Sequence, residues 1–240
     1  YNYDGPTLTR TDFQEIDLHG ELTTLEAPDA ALILVNDADL TYAKLRPDTT
    51  SMLALTDHLG DVDDSLARSL LWGTAWDQTR DAEASASWFL ELILDHVAKE
   101  TDSSTVFSLL RQANTALEHF TPASQIALYQ QHFASQLWQL AVDSEAGSDV
   151  QLQLIQSFVR HAREEHAEQI SNLADKKGPK GFSVSTDMAW SALQRLVALG
   201  RAGKPEINEA LENDESAPVT PRPASSVMHR LRPWTFLHPT

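Results

Sequence analysis

The densest cluster of metal-capable side chains in the sequence is His161-Ala-Arg-Glu-Glu-His166. A helical zinc-protease site needs two histidines at i, i+4, so that both imidazoles face one ion. Here the separation is five residues, and on a continuous helix the two rings diverge by about 140°. The inverted H-x-x-E-H order fails by one residue as well. The spacing reads as a polar, partly exposed helix face and not as a zinc site. His58, His96, His119 and His132 stand singly in or near helical patterns. His96 and His132 border apolar faces, where a lone imidazole reads as a hydrogen-bonded core or interface group.

Asp37 and Asp39, or Asp61, Asp63 and Asp64, could be drawn around a cation, but the Gly and closing Glu of a calcium loop are missing. Capping and turn roles suit them better. Serines are plentiful, yet no Gly-x-Ser-x-Gly elbow occurs and no Gly-rich phosphate loop follows a strand. Cysteine is absent, which removes disulfides, thiolate metal sites and a Cys nucleophile and fits a reducing compartment. The residues therefore assign no catalytic, cofactor-binding or metal-ligating side chain to this chain.

The elements that must position these groups are organised around residues 64–94. Leu66, Leu70, Leu71, Trp72, Ala75 and Trp76 leave only a narrow polar face, which predicts an inner helix. After a hinge at Thr79-Arg80-Asp81, Ala84, Trp88, Phe89, Leu92, Ile93 and Val97 make one broad stripe at i, i+3, i+4 spacing. Trp72, Trp76 and Trp88 bring the largest apolar area of any segment and are expected at the centre of the fold.

From about Asp48 onward the pattern is helical. Gly60-Asp-Val-Asp-Asp64 offers carboxylates for an N-cap. Thr101 or Asp102 can cap a helix through Val106, Leu109, Leu110, Ala113 and Leu117. Thr121-Pro122 predicts a cap followed by Pro in the first turn, opening a helix with Ile126, Tyr129, Phe133, Leu137 and Leu140 on one face. Gly147 ends it, and Ser148-Asp-Val-Gln151 forms a capping box for a helix carrying Ile155, Phe158, Val159 and Ala162. Lys176-Lys-Gly-Pro-Lys-Gly181 is a loop. Further helices carry Trp190, Leu193, Leu196 and Val197, then Ile207 and Leu211 after Lys204-Pro205. The fold class expected is mainly α, an irregular antiparallel helical-repeat solenoid of the HEAT or armadillo kind, without a clean sequence period.

Residues 1–47 follow a different pattern. Asp4-Gly5-Pro6 signals a turn. Ile16 and Leu18 alternate with Glu15 and Asp17 as in a half-buried strand, with Phe13 out of phase. Ala30-Ala-Leu-Ile-Leu-Val35 suits a strand covered on both faces. Asn36–Asp39 then turns the chain into Thr41–Leu45, an element that Pro47 ends. So few strands need others to be stable, so residues 1–47 read as the edge of a β-sandwich domain. Residues 48–215 read as the helical domain, and residues 216–240 as a Pro-rich, disordered tail.

The chain of 240 residues carries 35 Asp and Glu against 18 Lys and Arg, a formal charge of -17. That field disfavours phosphate backbones, so nucleic acid is not expected as a partner. No apolar run approaches the roughly 20 residues of a membrane span, and no membrane association is expected. The start at Tyr1, without a Met or a targeting signal, suggests a piece of something longer.

Two stretches carry a family resemblance. Leu34-Val-Asn-Asp-Ala-Asp-Leu-Thr-Tyr-Ala-Lys-Leu-Arg46 resembles the segment joining the β-sandwich to the helical domain in zinc aminopeptidases of the aminopeptidase N family. Leu71-Trp-Gly-Thr-Ala-Trp-Asp-Gln-Thr-Arg-Asp-Ala-Glu83 is similar to the opening helices of that family's C-terminal domain in its bacterial branch. Weaker likeness runs through Gly147–Leu152 and Gly181–Gly203. Arg46-Pro47 departs from the pattern, standing where the family usually continues with an aliphatic residue.

The resemblance implies a non-catalytic, cytoplasmic C-terminal domain that covers the catalytic cleft and gates access to it. The partners it implies are the upstream catalytic domain of the same enzyme and peptide substrates. Zinc would belong to the parent enzyme and not to this fragment, because neither H-E-x-x-H nor a Gly-Ala-Met-Glu-Asn run occurs here. The fragment alone is expected to be inactive. The alternative, from the residues alone, is an independent helical-repeat adaptor binding a protein or peptide partner in its concave face.

Overall fold

The structure, a computed structural model, describes residues 1–214. The Pro-rich segment from Ser216 lies outside the described residues. The first element is a hairpin of β1 (Asn2–Asp4) and β2 (Thr7–Thr9), antiparallel with Tyr3 opposite Leu8. Asp4-Gly5-Pro6 turns the chain as its composition predicts, Gly5 taking a φ of +61° that a side chain would resist. The hairpin is anchored to the helical part through Leu8, whose carbonyl accepts from Asp63 N at 3.1 Å. Leu8 also pairs in parallel with Val62, and both side chains are buried.

The other strands expected before residue 48 do not form among the described residues. Residues 13–18 are irregular, and Phe13, Ile16 and Leu18 are exposed. Ala30–Val35 joins no sheet, with a bend at Ala31 and a turn at Val35. Ala31 N and Leu32 N both donate to Tyr1 O, and Ile33 N donates to Ser51 Oγ. Leu32 is buried while Val35 is largely exposed, so this run is not covered on both faces. Thr41–Leu45 likewise has no regular structure. A strand needs a neighbouring strand to satisfy its backbone, and the hairpin supplies none here.

Nine α-helices follow among the described residues: α1 (Thr49–His58), α2 (Ser65–Arg80), α3 (Ala86–His96), α4 (Ser103–Thr115), α5 (Ile126–Asp143), α6 (Asp149–His161), α7 (Ala167–Ala174), α8 (Thr186–Ala198) and α9 (Lys204–Glu212). Their starts follow cap chemistry. Asp48, Asp64, Ser85, Asp102, Ser148 and Ser185 each accept a backbone N–H three residues on, satisfying a donor the helix cannot. The capping box at Ser148 is half made: Gln151 reaches Gly147 N and Ala141 O instead of Ser148 N. Thr121 does not cap α5. Its hydroxyl donates to Ala116 O, closing a π turn over Ala116–Phe120, and a turn from Pro122 delays α5 to Ile126.

Packing proceeds along the chain. α2 meets α3 and α4, α3 also meets α5, α4 meets α6, α5 lies on α6, α7 on α8, and α8 also on α6 and α9. One continuous core joins Tyr1, Leu8 and Leu32 to Leu71, Phe89, Leu117, Phe133, Phe158 and Ala192. The hairpin segment and the helices thus share a single apolar interior.

The tryptophans behave unequally. Trp72 is buried, but Trp76 and Trp88 are half-buried at its edge. Trp76 lies against Phe89 and Phe120, with ring centroids 5.3 and 5.9 Å apart. Leu66 is exposed, and the buried face of α2 takes Arg68, Thr74, Gln78 and Thr79 along with its apolar residues. The inner helix predicted from apolar content is therefore covered partly through polar contacts.

Candidate functional site

His161 and His166 are not on an exposed helix face. α6 ends at His161, Ala162 and Arg163 are extended, and a 3-10 turn at Glu164–His166 leads into α7. This reversal folds both imidazoles inward, where they are buried. His161 stands edge-on to Phe133 and His166 edge-on to Phe158, with centroids 5.5 and 5.6 Å apart. His166 Nδ1 accepts from Arg163 N at 3.0 Å, and its Nε2 lies 2.9 Å from Ser135 Oγ. With both ring nitrogens engaged in the protein's own bonds, His166 presents no free lone pair for a metal.

The Nε2 of His161 is buried without a hydrogen-bond partner among the described residues. Burial, reinforced by Arg160 and Arg195, lowers its pKa to about 3, so it is neutral at pH 7. Burial also lowers that of His166, against the opposing pull of Glu165. Arg195 crosses from α8 to donate its Nε to Ala162 O at 2.6 Å, satisfying a carbonyl at the end of α6.

The other candidates resolve into structural roles. His96 is buried, its Nδ1 accepting from Gly60 N and its Nε2 2.9 Å from Thr56 O. A core histidine with both nitrogens satisfied is what its apolar setting predicts. His58 pairs with Asp61, His132 with Glu91, and His119 is exposed. Asp61 also binds Lys99, the main cause of its lowered pKa. Asp64 caps α2, and Asp37 accepts from Tyr1 Oη and Arg10. Among the described residues no three His, Asp or Glu side chains come together in a way that could hold a metal.

Sequence reasoning missed a buried polar centre on α2. Arg68 Nε contacts both Glu100 oxygens at 3.2 and 3.3 Å, and its Nη1 donates to Val62 O at 2.7 Å. Trp72 Nε1 donates to Glu100 Oε1 at 2.7 Å. All three residues are buried. A signal was present, since Arg68, Leu71, Trp72 and Ala75 share one helix face and a cation in that stripe requires a buried anion. Nothing near Glu100 identifies it as the partner.

A second polar cluster joins the two stretches that carry the family resemblance. Lys44 Nζ and Arg46 Nη2 reach Asp81 Oδ2 at 2.6 and 2.8 Å, and Arg46 also pairs with Glu83. Lys44 is the main cause of the lowered Asp81 pKa, and Glu83 of the raised Arg46 pKa. The segment before α1 is thereby fastened to the turn between α2 and α3. Chemically, each of these arrangements holds backbone and side chains in place; none presents a nucleophile, a base and an orienting group together.

This chain matches the ERAP1-like C-terminal domain family over residues 32–226, beginning at buried Leu32 and running past the last described residue. It is also 39% identical over 225 residues to aminopeptidase N of Streptomyces lividans. That likeness covers 90% of this chain and 26% of the relative, so the chain spans about a quarter of the protein it matches. The chain belongs to the ERAP1-like C-terminal domain family, as the helical C-terminal domain of an aminopeptidase N-like protein.

Proposed function

We propose that this chain is the non-catalytic C-terminal domain of a zinc metallo-aminopeptidase, and that its helices cover the catalytic cleft and gate the peptides that enter it. One observation carries the reading: close likeness to a protein named aminopeptidase N extends over nearly all of this chain and only 26% of that protein. The zinc would be held, and the peptide bond hydrolysed, by residues upstream of Tyr1, and the enzyme would act in the cytoplasm. No helix among the described residues is long and apolar enough to cross a membrane.

Residues 1–47 would complete the edge of a β-sandwich, and residues 48–215 would form an irregular helical-repeat solenoid. The exposed Phe13, Ile16, Leu18, Leu22 and Leu25 support the first assignment, because strands laid alongside would bury them. The stepwise packing from α2 to α9 supports the second. The domain would act on catalysis through access and positioning. Its charge of -17 would draw the cationic amino termini of peptides toward the chamber, an effect that salt screens.

The test is metal content and peptidase activity of the full-length protein beside residues 1–240 alone. Stoichiometric zinc and release of N-terminal residues by the full-length protein only are expected. Hydrolysis by residues 1–240 alone, or none by the full-length protein, would overturn the reading.

A further inference from the structure

No residue of α9 is buried, although Ile207, Ala210 and Leu211 form an apolar stripe at i, i+3, i+4 spacing. Each of α1 to α8 buries at least two residues. α9 packs on α8, and that contact leaves the stripe half-covered. On α8, Trp190 and Val197 are half-buried as well. Asp214 closes the described chain beside them, its Oδ2 accepting from Trp190 Nε1 at 2.9 Å. The residues that follow therefore leave from the edge of the α8–α9 contact.

The solvent side of α9 is acidic. Glu206, Glu209 and Glu212 are all exposed, against Lys204 alone on the basic side. Glu206 is held as an anion, because Gly203 N donates to it at 2.7 Å and lowers its pKa. Glu209 and Glu212 make no ion pair among the described residues.

We propose that residues 227–237, the apolar and basic part of this chain's own C-terminal segment, dock on the half-covered stripe of α9 and complete the end of the helical array. The segment lies beyond the family match, which ends at residue 226, and its docking does not depend on the function proposed above.

Charge, composition and reach select this occupant. From Ser216 onward the sequence holds Arg222, Arg230 and Arg232 and no Asp or Glu, the complement of the α9 surface. Leu231, Trp234, Phe236 and Leu237 stand among those arginines, more apolar area than a permanently solvated segment carries. The stretch from Asp214 to Val227 can span about 40 Å when extended, whereas α9 is only about 13 Å long. One short helix face falls well below the roughly 1,000 Å² that separate molecules need, so a second copy is a poor fit. A tethered segment needs far less, since its effective concentration is about millimolar.

The experiment uses residues 1–240 intact. The sequence has no cysteine, so a spin label can be placed at one chosen position. A label at Asn208→Cys, an exposed position on α9, should broaden the Trp234 indole resonance, which is identified by its loss in Trp234→Phe. A label at Leu53→Cys, exposed on α1, should leave it sharp. Arg230→Glu with Arg232→Glu should remove the broadening, and adding Glu209→Lys with Glu212→Lys should restore it. Deleting residues 215–240 should raise amide exchange in α9 about tenfold, as for a face covered nine-tenths of the time, and leave α5 unchanged.

A sharp Trp234 signal in the Asn208-labelled chain, or unchanged exchange in α9 after the deletion, overturns the docking. Failure of the charge swap to restore broadening overturns the pairing that selects this occupant. Broadening that arises only between separately labelled chains would make a second copy the occupant. Protection of α9 that appears only in the full-length protein and survives the deletion would assign the face to the upstream part, and either result overturns the proposal.

Discussion

Glu100 holds two donors at once, the Arg68 guanidinium and the Trp72 indole, in a buried setting. Removing one partner of a buried ion pair strands the other charge. Glu100→Ala is therefore expected to cost about 3–5 kcal/mol in chemical denaturation. Trp72→Phe keeps most of the ring but removes the indole N–H, and should cost about 1–3 kcal/mol. Equal, negligible losses for both would mean the centre is not buried in solution.

His161 gives a pH signature. Its folded pKa of about 3 lies below the unfolded imidazole value, so between about pH 6.5 and 3 the unfolded chain binds more protons. Its contribution is present above that window and is lost as pH falls through it. His161→Phe should flatten the decline in melting temperature over this range; an unchanged slope would show that other groups set it. The burial of this residue was not legible in the sequence. The 140° divergence assumed a continuous helix, whereas Ala162 and Arg163 are extended and turn both rings inward.

Ser51 joins two elements. On α1 it donates from Oγ to Asp48 Oδ2, and the same oxygen accepts from Ile33 N in the irregular run before it. Ser51→Ala leaves Ile33 N without its partner in a part-buried site, and should cost about 1–3 kcal/mol by urea titration. Amide exchange at Ile33 should rise in parallel. If that amide stays protected, another acceptor holds the run.

Helix starts and faces were the most legible part of the fold, because caps and 3.6-residue periodicity are local. Asp64, Asp102 and Ser148 cap the helices expected of them, and Val106, Leu109, Leu110, Ala113 and Leu117 are all buried. Strands were the least legible, since Ile16, Leu18 and Ala30–Val35 have strand patterns but no neighbouring strand among the described residues. Thr121 misled for another reason: its hydroxyl serves the π turn behind it and not the helix ahead.

For the whole molecule, family was legible in two motifs, Leu34–Arg46 and Leu71–Glu83, which the fold ties together through Asp81. Under the function proposed above, this domain would govern which peptides reach a catalytic centre upstream of it. The direct measurement is the rate profile of the full-length enzyme against peptides of increasing length and a single-residue reporter. The same profile is taken on enzyme truncated before Asp48, at low and high salt. Truncation is expected to lower stability and alter the preference among peptide lengths, while reporter turnover persists in the folded fraction. The salt dependence of long-peptide cleavage should weaken once the acidic domain is gone. An unchanged length profile in well-folded truncated enzyme would contradict the account.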